Sequence, residues 1–194
     1  MPTSPKRSRV DRWVNSSFGL AAADSWLAQN RAGVTTNFQL GALLQGLGLM
    51  DVELIDDSLV ATKNINAQST SPKTLSKAQI LQPARHIYQS FLWILAAYEF
   101  IRTLDEICSK GDPNIYGAAL NQEIKRFKHS IERVRVPLAK IVSARRHPTD
   151  YSIAYPAWAN DKGVGWQVDA STLIARIELS DGLLALVEKL RQRS

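Results

Sequence analysis

Between Leu120 and Ile141 an apolar row, Leu120, Ile124, Phe127, Ile131, Val134, Leu138 and Ile141, recurs alternately four and three apart. That rhythm commits the segment to an α-helix with one narrow apolar seam, laid against a partner helix. The partner stands immediately upstream. Ser76 and Gln79 fit a capping box, and Ile80, Ala84, Ile87, Phe91, Ile94, Tyr98 and Ile101 follow at the same spacings. A second row, Leu81, Tyr88, Leu92 and Leu95, widens this apolar surface, so the helix is expected at the domain centre, buried on more than one side. Lys110–Gly111–Asp112–Pro113 supplies a basic last turn, a cap glycine and a breaker. Residues 76–109 and 117–146 therefore read as a long antiparallel helical hairpin, kinked at Pro137.

The flanking segments are less regular. Val10 to Asn30 suggests one or two helices, broken near Ser16–Gly19 and stopped at Arg31–Gly33, and Thr36 to Leu47 a short helix. Val52–Ile55 and Leu59–Thr62 flank the polar turn Asp56–Asp57–Ser58, which predicts a small β-hairpin in the N-terminal third. Asn64 to Pro72 reads as a loop and Pro148 to Lys162 as irregular, followed by a short extended segment at Gly163–Val168. The last element, Ser171 to Arg191, reads as helix, with a strand over 172–179 as the alternative. The expected fold is a mainly α helical bundle around the hairpin. Residues 1–9 form a disordered basic tail ahead of a single domain spanning 10–194.

Of the 194 residues, 45% are hydrophobic, which suits a globular domain and not a disordered chain. The one cysteine, Cys108, excludes an internal disulfide framework and any multi-cysteine metal site. The longest clearly apolar run, Phe91–Tyr98, is far short of the ~20 residues a membrane helix needs. A cytoplasmic protein with no membrane partner is the expectation. The net charge of +6 is strongly localised: residues 121–147 carry eight Lys and Arg against Glu123 and Glu132.

Because the apolar seam claims the inner face, Lys125, Lys128, Arg133, Arg135, Arg145 and Arg146 are assigned to an outward surface, a candidate phosphate or nucleic-acid site. Tyr151, Tyr155 and Trp158 follow it as candidate base-stacking residues. His147 and Asp150, beside Arg145–Arg146, form the one candidate catalytic pair, in which the histidine transfers a proton and the carboxylate orients it. No HExxH, nucleophile elbow or phosphate-binding glycine loop is present, and no metal site or cofactor is expected. Glu99 sits among apolar residues on the central helix and is expected to be buried and paired, with Arg102 as its local cation.

Two functions follow from these readings. The first is a non-catalytic helical interaction or oligomerisation module, with a protein partner or a second copy. The alternative is a nucleic-acid-binding protein using the basic face at residues 125–146, with a metal-independent nuclease as its catalytic extension.

Overall fold

The computed structural model describes residues 5–28, 35–70, 77–110, 116–159 and 162–192. Five helices and a three-stranded sheet occupy them: α1 (Pro5–Ala28), α2 (Thr35–Thr70), α3 (Lys77–Lys110), α4 (Ala118–Lys140), β1 (Tyr155–Ala159), β2 (Gly163–Gln167), β3 (Leu173–Ala175) and α5 (Arg176–Gln192). The chain is thus mainly helical, with a small antiparallel sheet near its C-terminal end. The helical hairpin forms as the periodicity requires, with α3 packed on α4. Leu120, Ile124, Ile131 and Val134 of the α4 seam are buried against Trp93, Ile94, Ala97, Phe100, Ile101 and Leu104 in one core. No helix of the described residues is long and apolar enough to cross a membrane.

The N-terminal third departs from expectation. No β-hairpin forms at 52–62, because those residues lie within α2. Leu40, Leu44, Leu47, Asp51, Leu54, Ser58 and Ala61 are buried and recur at spacings of four and three. This helical period begins three turns ahead of the supposed hairpin and runs through it to Ala61, and it outweighs the local β-preference of Val52 and Ile55. Residues 64–70 also continue the helix instead of looping out, and α1 runs through Ser16–Gly19 unbroken. Of the expected basic tail, residues 1–4 lie outside the described residues, whereas Pro5 opens α1, where its fixed φ and missing N–H are tolerated. The stop at Arg31–Gly33 and the serine of the capping box also lie outside the described residues.

α1 crosses α2 closely enough that a Cβ on Gly48 would meet the Trp13 ring at 2.5 Å. Glycine is required there so that Trp13, which is 1% exposed, can lie flat on α2. At the C-terminal end both alternatives for 172–179 contribute: β3 is strand and α5 begins at Arg176. The sheet order is β1-β2-β3, with Trp158 opposite Val164, and with Trp166 between Pro156 and Ile174. The inner face of the sheet therefore seats Trp166 (1% exposed) on the helices, α5 and α2 among them.

The basic helix is shorter than its sequence suggests. α4 ends at Lys140, and Ile141 caps it in the left-handed region at φ 56°, its N–H donating to the Pro137 carbonyl at 3.3 Å. The left-handed backbone of Ile141 turns the chain off the helix axis, so α4 closes one turn after Pro137 and does not run to residue 146. A β-branched side chain in that conformation is strained by roughly 1–2 kcal/mol, and Ile141 is 66% exposed, so its burial returns little. Ile141→Gly is therefore expected to raise the unfolding free energy by about 1 kcal/mol in urea denaturation. An unchanged or lowered midpoint would contradict the strain at this cap.

Candidate functional site

The densest polar cluster in the molecule is buried where α1, α2 and α5 meet. Asp51 lies on the inward row of α2 and is fully buried. Its Oδ2 accepts from Arg9 Nε at 2.7 Å and from Trp13 Nε1 at 3.0 Å. Its other oxygen, Oδ1, accepts from Arg176 Nη1 at 2.6 Å. Arg9 also reaches α5, donating to Asp181 at 2.6 Å and Ser180 at 2.7 Å. Arg176 is 2% exposed and lies 5.6 Å from the Trp93 ring centroid. Burial alone would raise the Asp51 pKa, but Arg176 and Arg9 offset it and hold the carboxyl below its ordinary range. One carboxylate thus ties three helices together.

Next to this cluster, Ser58 Oγ and His86 Nε2 stand 2.7 Å apart, both buried. The His86 ring packs on Trp158 with centroids 5.6 Å apart. Burial, reinforced by the nearby Arg176 charge, pushes the His86 pKa down to about 4. The ring is therefore neutral at physiological pH. Its Nδ1 has no hydrogen-bond partner among the described residues. A buried bare lone pair costs less than a buried orphan N–H, so the proton belongs on Nε2, donating to Ser58. That tautomer leaves the serine without a base. Gly163, at φ 72°, closes over the pair, since a Cβ there would meet Ser58 Oγ at 2.6 Å. The pair therefore reads as a core contact, not as a nucleophile and its base.

The sequence-predicted surface is broken up by ion pairs. Lys128 donates to Asp105 at 2.6 Å. Arg133 forks onto both oxygens of Asp150, at 2.6 and 2.9 Å, and reaches Asp169 at 2.7 Å. Arg135 stands 4.7 Å over the Tyr98 ring and 4.0 Å from Glu99. Lys125, Arg145 and Arg146 are exposed. Asp150 is buried with both oxygens committed to Arg133, so it is not available to orient His147. The two residues are joined instead through the backbone, Asp150 N–H donating to the His147 carbonyl at 3.1 Å. Tyr151 and Tyr155 meet edge-to-face at 5.9 Å, while Trp158 turns inward to His86.

Glu99 does find Arg102, at 2.8 Å, but its side chain is 47% exposed, not buried. The reason is that the second apolar row of α3 faces solvent: Leu81, Tyr88 and Leu92 are 54%, 61% and 38% exposed. Between α4 and α5 a shallow groove is floored by Phe127 and Leu186 and bridged by Lys189–Glu123 at 2.6 Å. Neither His147 nor the Ser58–His86 pair lines it. Among the described residues no group of three or more His, Cys, Asp or Glu is placed to hold a metal ion.

Compared with protein-family models, with curated proteins and with solved structures, the chain matches none. Its function is read from geometry alone. The buried cluster escaped sequence reasoning although a signal was present: Asp51 sits in register between Leu47 and Leu54 on an otherwise apolar row. A carboxylate at such a position requires a buried cation, and Arg176, flanked by Ala175 and Ile177, answers it.

Two outcomes follow. Asp51→Ala strands Arg176 without a counter-charge and is expected to lower the unfolding free energy by about 3–5 kcal/mol in urea titration. For His86, the folded pKa lies below the ordinary value near 6.5, so on acidification the unfolded chain takes up the proton first. Stability contributed by the neutral ring is present above pH ~6.5 and is lost as the pH falls toward 4. The stability gap between wild type and His86→Gln should narrow over that window, and a constant gap would contradict the assignment.

Proposed function

We propose that this protein is a non-catalytic helical module that self-associates through α3. The supporting observation is the exposed side of that helix. Leu81, Arg85, Tyr88, Leu92, Leu95 and Glu99 follow one another at spacings of 4, 3, 4, 3 and 4, the seam of a helix pair. The opposite side is occupied, with Trp93, Ile94 and Ala97 fully buried. An apolar seam in this rhythm, left open to solvent, suits a second helix as its cover.

The charges on the seam select the occupant. In a parallel pair Arg85 meets Arg85 and Glu99 meets Glu99, which is repulsive. In an antiparallel pair with its two-fold axis at Leu92, Arg85 of one copy lies across from Glu99 of the other, each seven residues from the axis. The seam is thus complementary to itself in one orientation, which favours a second copy over an unrelated partner. A cytoplasmic location belongs to the same proposal. It is supported by the lone buried Cys108, whose thiol burial pushes up to about 11 and so keeps unreactive.

Sedimentation velocity is expected to show a dimer for the wild type and a monomer for Tyr88→Glu/Leu92→Glu, with helical content unchanged. Arg85→Glu should weaken the dimer by placing two acids across each contact. A wild type that stays monomeric at all concentrations, or a dimer indifferent to these substitutions, would overturn the reading.

A further inference from the structure

We infer that a second surface, in the segment between α4 and β1, binds single-stranded nucleic acid through Tyr151, Tyr155, Arg145 and Arg146. It is independent of self-association. After α4 closes at Ile141 the backbone turns twice, with His147 N–H donating to the Ala144 carbonyl at 2.7 Å and Asp150 N–H to His147. These turns hold Arg145 and Arg146 exposed. The next residue, Tyr151, is fixed to the sheet region by its own N–H, which donates to the Val168 carbonyl at 2.7 Å.

Tyr155 stands on the outer face of the sheet, because Trp158 and Trp166 occupy the inner one and side chains alternate along a strand. It shares its register with Gln167 and Leu173, which extend the same outer row. The two tyrosines, 38% and 54% exposed, meet edge-to-face at an interplanar angle of 77°. Two rings so placed brace each other and leave an aromatic face open, the platform on which a base stacks.

The electrostatics around them are one-sided. Among the described residues two carboxylates near Tyr151 are consumed: Asp150 by Arg133, and Asp169 by Arg133, Ser171 and Thr172. Arg145 and Arg146 make no ion pair among the described residues, and exposed Lys140 lies one turn upstream. Two exposed guanidinium groups five and six residues ahead of Tyr151, joined to it only by the two turns, are matched by a chain that alternates phosphate and base. A duplex hides its base faces and offers the tyrosines nothing. An acidic peptide would satisfy the arginines but leave the tyrosines without a role.

The test is fluorescence anisotropy with a labelled oligouridylate, a labelled oligodeoxyuridylate, a duplex of the same length and polyglutamate, each at low and high salt. Either single strand is expected to bind more tightly than the duplex, and the tighter of the two identifies the sugar. Tyr151→Leu and Tyr155→Leu should each cost about tenfold in affinity, whereas Tyr→Phe at both positions retains it. Arg145→Ala/Arg146→Ala should weaken binding and flatten its salt dependence by about 1.4 in log–log slope, two phosphates at ~0.7 each. Absence of binding at low salt, preference for duplex, or equal binding of polyglutamate would overturn the proposal. So would affinity unchanged in the leucine variants, and the phenylalanine pair guards against mistaking a folding defect for lost stacking.

Discussion

The Asp51 carboxylate is the point on which the arrangement of helices depends. It draws Arg9 and Trp13 from α1 and Arg176 from α5 onto one buried position of α2. An ion pair without solvent gains little net free energy over a well-packed apolar contact, but a missing partner is very costly. The pairing therefore acts as a registry device. Only one alignment of α1, α2 and α5 satisfies both arginines, and slipping any of them by a turn leaves a charge in the core. The same junction seats Trp13 against Gly48 and places Arg176 over Trp93.

With the interior so fixed, the outside divides into two unlike surfaces. The exposed seam of α3 carries Leu81, Tyr88 and Leu92 with charges of both signs, the surface proposed to receive a second copy. The corner after α4 is aromatic and cationic, built from turns and the outer face of the sheet. Between them the basic residues of α4 are spent on local neighbours: Lys128 on Asp105, Arg133 on Asp150 and Asp169, Arg135 on Tyr98. A positive stretch of sequence is thus only in part a positive stretch of surface, with Lys125, Lys140, Arg145 and Arg146 left exposed. The acids that neutralise it arrive from α3 and from the loops around the sheet, far away in sequence.

Where the sequence was legible, and where it was not, follows from the range of the forces involved. The α3–α4 hairpin is specified by periodicity, a local signal sustained over many turns, and it formed where that signal lay. The period in α2 is as regular, but Asp51 and Ser58 break its hydrophobicity, and Asp56–Asp57–Ser58 imitates a turn. Those polar residues are tolerated in a helix only because Arg176 and His86 meet them across the core. The end of α4 depends on Ile141 adopting the left-handed conformation, a backbone matter that composition does not reveal. The exposure of Leu81, Tyr88 and Leu92 was invisible for a different reason: an apolar row looks the same whether its own chain or another copy covers it.

That last ambiguity is decided by proximity across the proposed two-fold axis. Leu92→Cys in a Cys108→Ala background, oxidised at low protein concentration, places the two new thiols side by side if the antiparallel pairing is right. Ser109→Cys in the same background lies 17 residues further along the helix, about 25 Å from the axis, so its two copies stand far apart. The account predicts rapid disulfide-linked dimer from Leu92→Cys and none from Ser109→Cys. Equal cross-linking at both positions, or none at Leu92→Cys, would contradict it.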